Sequence, residues 1–202
     1  MSVVGYVLAG GASSRFGSDK AQAKLGGKPM LTRMRELVLS VCGEVRIIVA
    51  AKAAGDGAGL IADRWPGAGP LGGIITALQV TADVGRSEWN LVVGCDMPFL
   101  TADWLRYLAE RAAASSADVI APRSANGLEP LCAVWRTDCV SKLQSAFDSG
   151  VRKVTEAMKH LQMEVIDQRE WKRFDSAGHL FWNMNTMADY EEAKRMLEST
   201  ST

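Results

Sequence analysis

Residues 3–20 read VVGYVLAGGASSRFGSDK, and the order of residue types within them decides the fold. Val3, Val4, Tyr6, Val7 and Leu8 make a short apolar run rich in β-formers, stopped by Gly10-Gly11, which is the pattern of a buried strand. Directly behind it stand glycines, serines, Arg15 and Lys20. Such a loop packs badly and costs conformational entropy to order. A bound polyanion would offset that cost. Gly10 and Gly11 let the backbone approach a ligand and expose its amides. Arg15 offers a planar fork for phosphate oxygens, while Lys20 and Lys24 offer compact positive charge. Neither GxxxxGK[ST] nor GxGxxG is present. The residue types alone leave a plain surface loop with two cations as the other reading.

Working outward, strands and helices alternate. Pro29 stands where a helix can begin, and Met30, Met34, Leu37, Val38 and Val41 follow at helical spacing. Residues 45–51 (VRIIVAA) predict a second buried strand, and LIAD at 60–63 a short segment before the turn-rich RWPGAGPLGG. Ile74 and Leu78 suggest another helix. Residues 90–95 (NLVVGC) read as the third strand, and Thr101 as the N-cap of a helix through Ala114. Strands are expected at 118–121, 131–135 and 163–166, and helices at 137–149 and 151–161. Thr186 with Asp189 resembles a capping box, with Asp in place of Glu, opening the last helix. The expectation is one domain over residues 1–202 with a frayed tail at 199–202. Its class is α/β: a Rossmann-like three-layer sandwich with a mostly parallel sheet covered by helices on both faces. Ligands of such sheets sit at the carboxyl ends of the strands, where the loops AGGASSRFGSDK and CDMPF both fall.

Composition narrows the function classes. The 202 residues are 48% hydrophobic and 23% charged, with 23 basic and 23 acidic side chains and zero formal net charge. That removes the broad basic footprint of a nucleic-acid or membrane-surface binder. Cys42, Cys95, Cys132 and Cys139 have no CxxC spacing and no histidine at zinc-ligand distance, so they read as reduced, mostly buried thiols. The N-terminus lacks a basic leader, and no apolar stretch approaches the ~20 residues that span a bilayer. A cytoplasmic enzyme with neither nucleic-acid nor membrane partners is expected.

Asp96 follows a buried apolar run at a strand end, where a carboxylate suits a magnesium ion that takes one or two carboxylates plus phosphate oxygens and water. The alternative is an Asp that caps the adjacent turn. Asp63 also ends an apolar segment, and a turn role is its default. GPLGGI at 69–74, with Gly72, has the form of a glycine-rich turn opening a helix, a possible anion or base contact. Asn183 and Asn185 alternate, so in an extended segment they share one face, to bind a polar ligand or to form Asx turns. His160 and His179 have no visible Ser or Cys partner, so a hydrolase triad has little support.

Taken together, LAGGASSRFGSDK, LGGKPML (25–31), GPLGGI, CDMPF (95–99), EPLCAVW (129–135) and NMNT (183–186) resemble the molybdenum cofactor guanylyltransferases, a MobA-like branch of the nucleotidyltransferases. The motifs occur in that family's order over nearly the whole chain. Phe16 stands for the usual Met, Ala50-Ala51-Lys52 lies where the family often has an Asn, and Met187 replaces a Pro. The resemblance implies transfer of GMP from GTP to the terminal phosphate of molybdenum-molybdopterin, with Mg²⁺ as cofactor and release of pyrophosphate. It implies base and backbone contacts from Leu8, Ala9 and Gly10. It also implies triphosphate contacts from Gly11, Ser13, Arg15 and Lys20, a nucleotide contact from Gly72, a guanosine contact from Asp63, metal binding by Asp96, and a pterin side at Asn183 and Asn185. Arg15, Lys20 and Asp96 would carry catalysis. Transient contact with maturation proteins of molybdenum enzymes would follow. The related cytidylyltransferases carry LAAG where this chain has LAGG, so Gly11 is the residue on which GTP over CTP mainly rests. A cytidylyltransferase and a non-catalytic nucleotide-binding protein are the competing readings. The acceptor phosphate has a second pKa near 6 and is mostly ionised at pH 7, so a general base is dispensable.

Overall fold

The computed structural model describes residues 3–9, 23–50, 59–85, 87–175 and 177–200. The chain opens with β1 (Val3–Leu8). A two-rung hairpin follows, β2 (Lys24–Leu25) and β3 (Lys28–Pro29), and then α1 (Met30–Cys42), β4 (Val45–Val49) and β5 (Leu60–Ala62). Next come α2 (Pro70–Val84), β6 (Trp89–Gly94), α3 (Ala102–Ala114), β7 (Val119–Ser124), β8 (Gly127–Leu128) and β9 (Cys132–Arg136). The C-terminal part holds α4 (Val140–Asp148), α5 (Val154–Ala157), β10 (Met163–Ile166), α6 (Gln168–Trp171) and α7 (Met187–Thr200).

The main sheet runs β10-β7-β9-β6-β1-β4-β5, with β8 on β7. Pairing is parallel between β1 and β4, β1 and β6, β4 and β5, and β7 and β10. Only β9 among these seven strands runs against both its neighbours. Side-chain alternation along the strands sorts two cores, as period 2 requires. Val3, Val7, Leu91, Val93 and Val134 pack on Met34 and Val38 of α1 and on Trp104 and Leu108 of α3. Val4, Tyr6, Leu8, Val92 and Ala133 pack on Ile74, Ile75 and Leu78 of α2 and on Leu143 and Phe147 of α4. The expected three-layer class is therefore the one observed.

Local signals behave as the sequence predicts in several places. Thr101 Oγ1 accepts from the Trp104 amide and caps α3. Thr186 and Asp189 form the reciprocal box, Asp189 N to Thr186 Oγ1 at 3.2 Å and Thr186 N to Asp189 Oδ2 at 2.8 Å. Other boundaries need correcting. β4 ends at Val49, and Ala51, expected inside it, lies outside the described residues. The helix expected from 137 begins as a 3-10 turn, Thr137–Cys139, because the Thr137 hydroxyl is tied to Asn90 Nδ2 at 2.9 Å and to Ser87 O at 2.9 Å. The helix expected from 151 starts only at Val154. Arg152 lies over the Phe147 ring at 4.1 Å and donates to Phe147 O at 2.7 Å, which closes the end of α4 and turns the chain. α7 runs Met187–Thr200, and residues 201–202 of the tail lie outside the described residues.

All four cysteines are free. Burial pushes the thiols of Cys42, Cys132 and Cys139 up to about 12, which leaves them un-ionised at neutral pH. Among the described residues no helix is long and apolar enough to cross a membrane.

Candidate active site

Strand register fixes which loops meet. Leu8 stands beside Ile48 on one side and Gly94 on the other, and Val49 stands beside Ala62. The residues that follow β1, β4, β5 and β6 therefore leave the same edge of the sheet. Gly10, Gly11, Ser13, Arg15 and Lys20 lie outside the described residues. The two residues leading into that loop are described. Leu8 is buried, with its carbonyl accepting from Cys95 N at 3.2 Å, and Ala9 N donates to Ile48 O at 2.9 Å.

Asp96 sits in the turn after β6, and three segments converge on that turn. Gly94 N donates to Leu131 O at 2.8 Å, Cys95 N to Leu8 O, and Met184 N to Asp96 O at 2.9 Å. The start of β9, the end of β1 and the C-terminal segment are thus stitched to residues 94–96. A Cβ on Gly94 would lie 2.7 Å from Asp96 Oδ1, so any larger residue there would displace the carboxylate. The turn holds the carboxylate folded back over the strand end. Asn183 and Asn185 flank the buried Met184 and face outward from it, half-buried and exposed. Asn183 Nδ2 donates to Phe181 O at 3.2 Å, and Asn185 N donates to Asp189 Oδ2 at 2.8 Å. Register and backbone bonds therefore bring the pair next to Asp96.

Asp63 and Gly72 are already engaged within the fold. Asp63 Oδ1 accepts from Trp65 N at 2.9 Å and Thr76 Oγ1 at 3.0 Å, the turn role that its position predicts. Gly72 is buried in the first turn of α2, where a Cβ would stand 2.9 Å from Trp65 Cβ and 3.0 Å from Ala68 Cβ and Trp65 O. A Cβ on Gly73 would meet Leu8 Cδ1 at 3.2 Å. The glycine pair lets the start of α2 press on the end of β1 and on the turn holding Asp63.

Sequence reading assigns no role to Glu129, which the structure places within reach of the Asp96 charge. It is only 8% exposed. Burial pushes its carboxyl above the usual carboxylate range, the Ser124 hydroxyl pulls it down, and the Asp96 charge pushes it up again. The EPLCAVW motif begins at Glu129, but the sequence reading gives the residue no role of its own. His179 packs between Phe99 and Trp182, with ring centroids 5.8 and 6.3 Å away, and among the described residues neither histidine hydrogen-bonds a Ser or Cys.

The MobA-like NTP transferase domain matches residues 5–163. The chain belongs to this family. The molybdenum cofactor guanylyltransferase of Rhizobium johnstonii is 34% identical over 205 residues, covering 98% of this chain and 94% of its own. That of Desulfosudis oleivorans is 29% identical over 201 residues, covering 98% and 97%. In fold, the chain matches molybdopterin-guanine dinucleotide biosynthesis protein A of Archaeoglobus fulgidus with a TM-score of 0.81 at 24% identity, covering 98% of this chain and 100% of that one. As a MobA-like NTP transferase the protein is a nucleotidyltransferase, and residues 5–163 hold both the loop after β1 and the turn at Asp96.

Proposed function

We propose that the protein transfers GMP from GTP to the terminal phosphate of molybdenum-molybdopterin, giving the guanine dinucleotide cofactor and pyrophosphate. One domain over residues 1–202, acting in the cytoplasm, carries the reaction. The observation that supports this reading is the register of Leu8 beside Gly94, which brings the end of β1, Leu8-Ala9, next to the Asp96 turn on one sheet edge. Family membership and the names of its relatives support the choice of substrates.

In the reaction an acceptor phosphate oxygen forms a bond to the α-phosphorus of GTP, and the bond from that phosphorus to the bridging oxygen breaks, freeing pyrophosphate. The acceptor is already ionised at neutral pH, so the protein supplies position and charge rather than a base. Backbone amides of Gly11 and Ser13, with Arg15 and Lys20, hold the triphosphate, and Gly10 contacts the nucleotide with Leu8 and Ala9. Leu8 and Ala9 flank the base, and Gly72 keeps the start of α2 close to the nucleotide. Asp63 reaches guanosine through Oδ2, since Oδ1 is engaged in the turn. Asn183 and Asn185 line the pterin side.

Among the described residues no group of three or more His, Cys, Asp or Glu could hold a metal. A single carboxylate held in place at Asp96 suits Mg²⁺, which fills its remaining positions with phosphate oxygens and water. When bound, the ion supplies neutralisation of phosphate charge. Turnover with molybdopterin acceptor and Mg²⁺ should be fastest with GTP among GTP, CTP, ATP and UTP, read by pyrophosphate release. Faster turnover with CTP would overturn the substrate assignment, and binding of GTP without pyrophosphate release would overturn the transferase reading.

A further inference from the structure

We propose that Glu129 is a recognition residue for the acceptor substrate, its carboxylate accepting hydrogen bonds from the N–H groups on the 2-amino-4-oxo edge of the pterin ring. This rests on the guanylyltransferase reading above and adds a residue and a subsite to it.

The placement comes from the sheet order. β1, whose loop addresses the nucleotide, lies on one side of β6, and β9, which Glu129 precedes, lies on the other. Asp96 follows β6 between them, so Glu129 lies on the side of the edge away from β1. Its backbone is fixed from both directions, with Glu129 N donating to Pro122 O at 2.9 Å and Cys132 N donating to Glu129 O at 3.1 Å. The side chain is held by one hydroxyl, Ser124 Oγ donating to Oε1 at 2.5 Å. The amide of Asn126 donates to the same Ser124 oxygen at 3.0 Å, which aims the hydroxyl proton at Glu129 and marks Glu129 as the acceptor.

A carboxylate has about four acceptor sites, and among the described residues Ser124 fills one of them. At 8% exposure, within reach of the like charge of Asp96, this group calls for donors and repels anions. The acceptor's phosphate is therefore unsuited to it. The amino-pyrimidinone edge presents adjacent N–H donors without negative charge, which matches a carboxylate in one plane.

The test uses the full chain with two probes that lack phosphate: pterin, and lumazine, which carries oxygen where pterin carries the amino group. Both are followed by ligand fluorescence in the presence of GTP and Mg²⁺. Wild type should bind pterin about tenfold or more tightly than lumazine, as expected for hydrogen bonds to a charged group. Glu129→Gln, which keeps an acceptor for Ser124, should lose that preference and raise the acceptor KM while GTP affinity and the half-saturating Mg²⁺ stay unchanged. If Glu129→Gln does not fold, Glu129→Asp, which withdraws the carboxylate by one methylene, should show the same split. A retained pterin preference in a folded variant would overturn the proposal, as would a rise in the Mg²⁺ requirement, which would assign Glu129 to the cation. Absence of GTP binding by wild type would instead overturn the guanylyltransferase reading.

Discussion

Two neighbouring glycines in the first turn of α2 allow steric crowding to be separated from helix propensity. Gly72→Ala and Gly73→Ala each replace a glycine in the same helix, and each should gain up to ~1 kcal/mol of propensity, less near a helix end. Their surroundings differ. At Gly72 the new carbon would lie 2.9 Å from Trp65 Cβ and 3.0 Å from both Ala68 Cβ and Trp65 O. Against an optimum of about 3.5–4.0 Å, that is an overlap of roughly 0.5–1 Å with three atoms. One is a backbone oxygen, and Trp65 is packed against Phe147 at 5.1 Å between ring centroids. Relief requires moving the Asp63–Trp65 turn, at an overpacking cost of about 1–3 kcal/mol. At Gly73 the nearest atoms are the terminal methyls of Leu8 at 3.2 and 3.4 Å, and a small side-chain rotation relieves them. Gly72→Ala should therefore be about 1–2 kcal/mol less stable than Gly73→Ala, a gap of roughly 2–8 °C in Tm for a chain of this size. Thermal and urea unfolding of both variants, followed by circular dichroism, measure it. Gly72→Ala should also weaken GTP binding, because the displaced turn carries Asp63. Equal stability of the two variants would refute the packing argument, and weakened GTP binding without a stability gap would make Gly72 a direct nucleotide contact instead.

Asp118 is held below the usual carboxylate range. Burial alone would raise it, but Lys142 Nζ at 2.7 Å and the Gln162 amide at 2.8 Å outweigh that. A depressed folded-state pKa contributes stability above the unfolded value near 4 and loses it as pH falls. Asp118→Asn should cost about 1 kcal/mol at pH 7, discounted for the half-exposed lysine, and should flatten the acid limb of stability against pH; an unchanged limb would remove the linkage. Asp189→Ala releases the amides of Asn185 and Thr186 together. It should cost about 1 kcal/mol, as loss of a helix cap does, and raise the acceptor KM but not that of GTP in steady-state kinetics.

The layers of the fold are readable because single residues carry strong local signals. The run ending at Leu8 and the run ending at Gly94 have no competing helical period, and Thr101 and Thr186 each precede a helix with the expected partner three residues on. β9 is different. Its apolar residues, Cys132, Ala133, Val134 and Trp135, are all buried, so no alternation reveals its direction, and its antiparallel pairing follows from connections of only a few residues through β8. α6 carries a signal of the same kind: Asp167 Oδ1 accepts from the amides of Arg169 and Glu170 at 2.8 and 3.1 Å, a cap with an acid three residues on. Asp96, Asn183 and Asn185 stand out in the sequence from their place after a strand and before a helix, and the structure joins their segments through Met184 N and Asp96 O. Glu129 is legible only as the first residue of EPLCAVW, because nothing in the spacing shows that it is buried, bonded to Ser124 and under the charge of Asp96.

The convergence on residues 94–96 bears on how two polyanions come to react without a base. GTP and the acceptor each carry phosphate charge, and bringing them together in water is opposed by that charge and by lost translational freedom. Here one turn serves both halves. Cys95 N binds the strand that leads to the nucleotide loop, Gly94 N binds the segment leading to β9, and Asp96 O binds Met184 between the two asparagines. On the proposed reading, any shift of the turn would move both halves together, so three backbone hydrogen bonds rather than long side chains would set the distance between the substrates. Side-chain rotamers then matter for affinity, and the backbone of the turn matters for rate. Gly94→Ala, which would press a carbon to 2.7 Å from Asp96 Oδ1, should accordingly lower kcat by about tenfold or more, as a misplacement near 1 Å does, with smaller changes in either KM. Loss expressed wholly in the GTP KM, with kcat intact, would place the turn in nucleotide binding alone and dissolve the argument that it aligns the reaction.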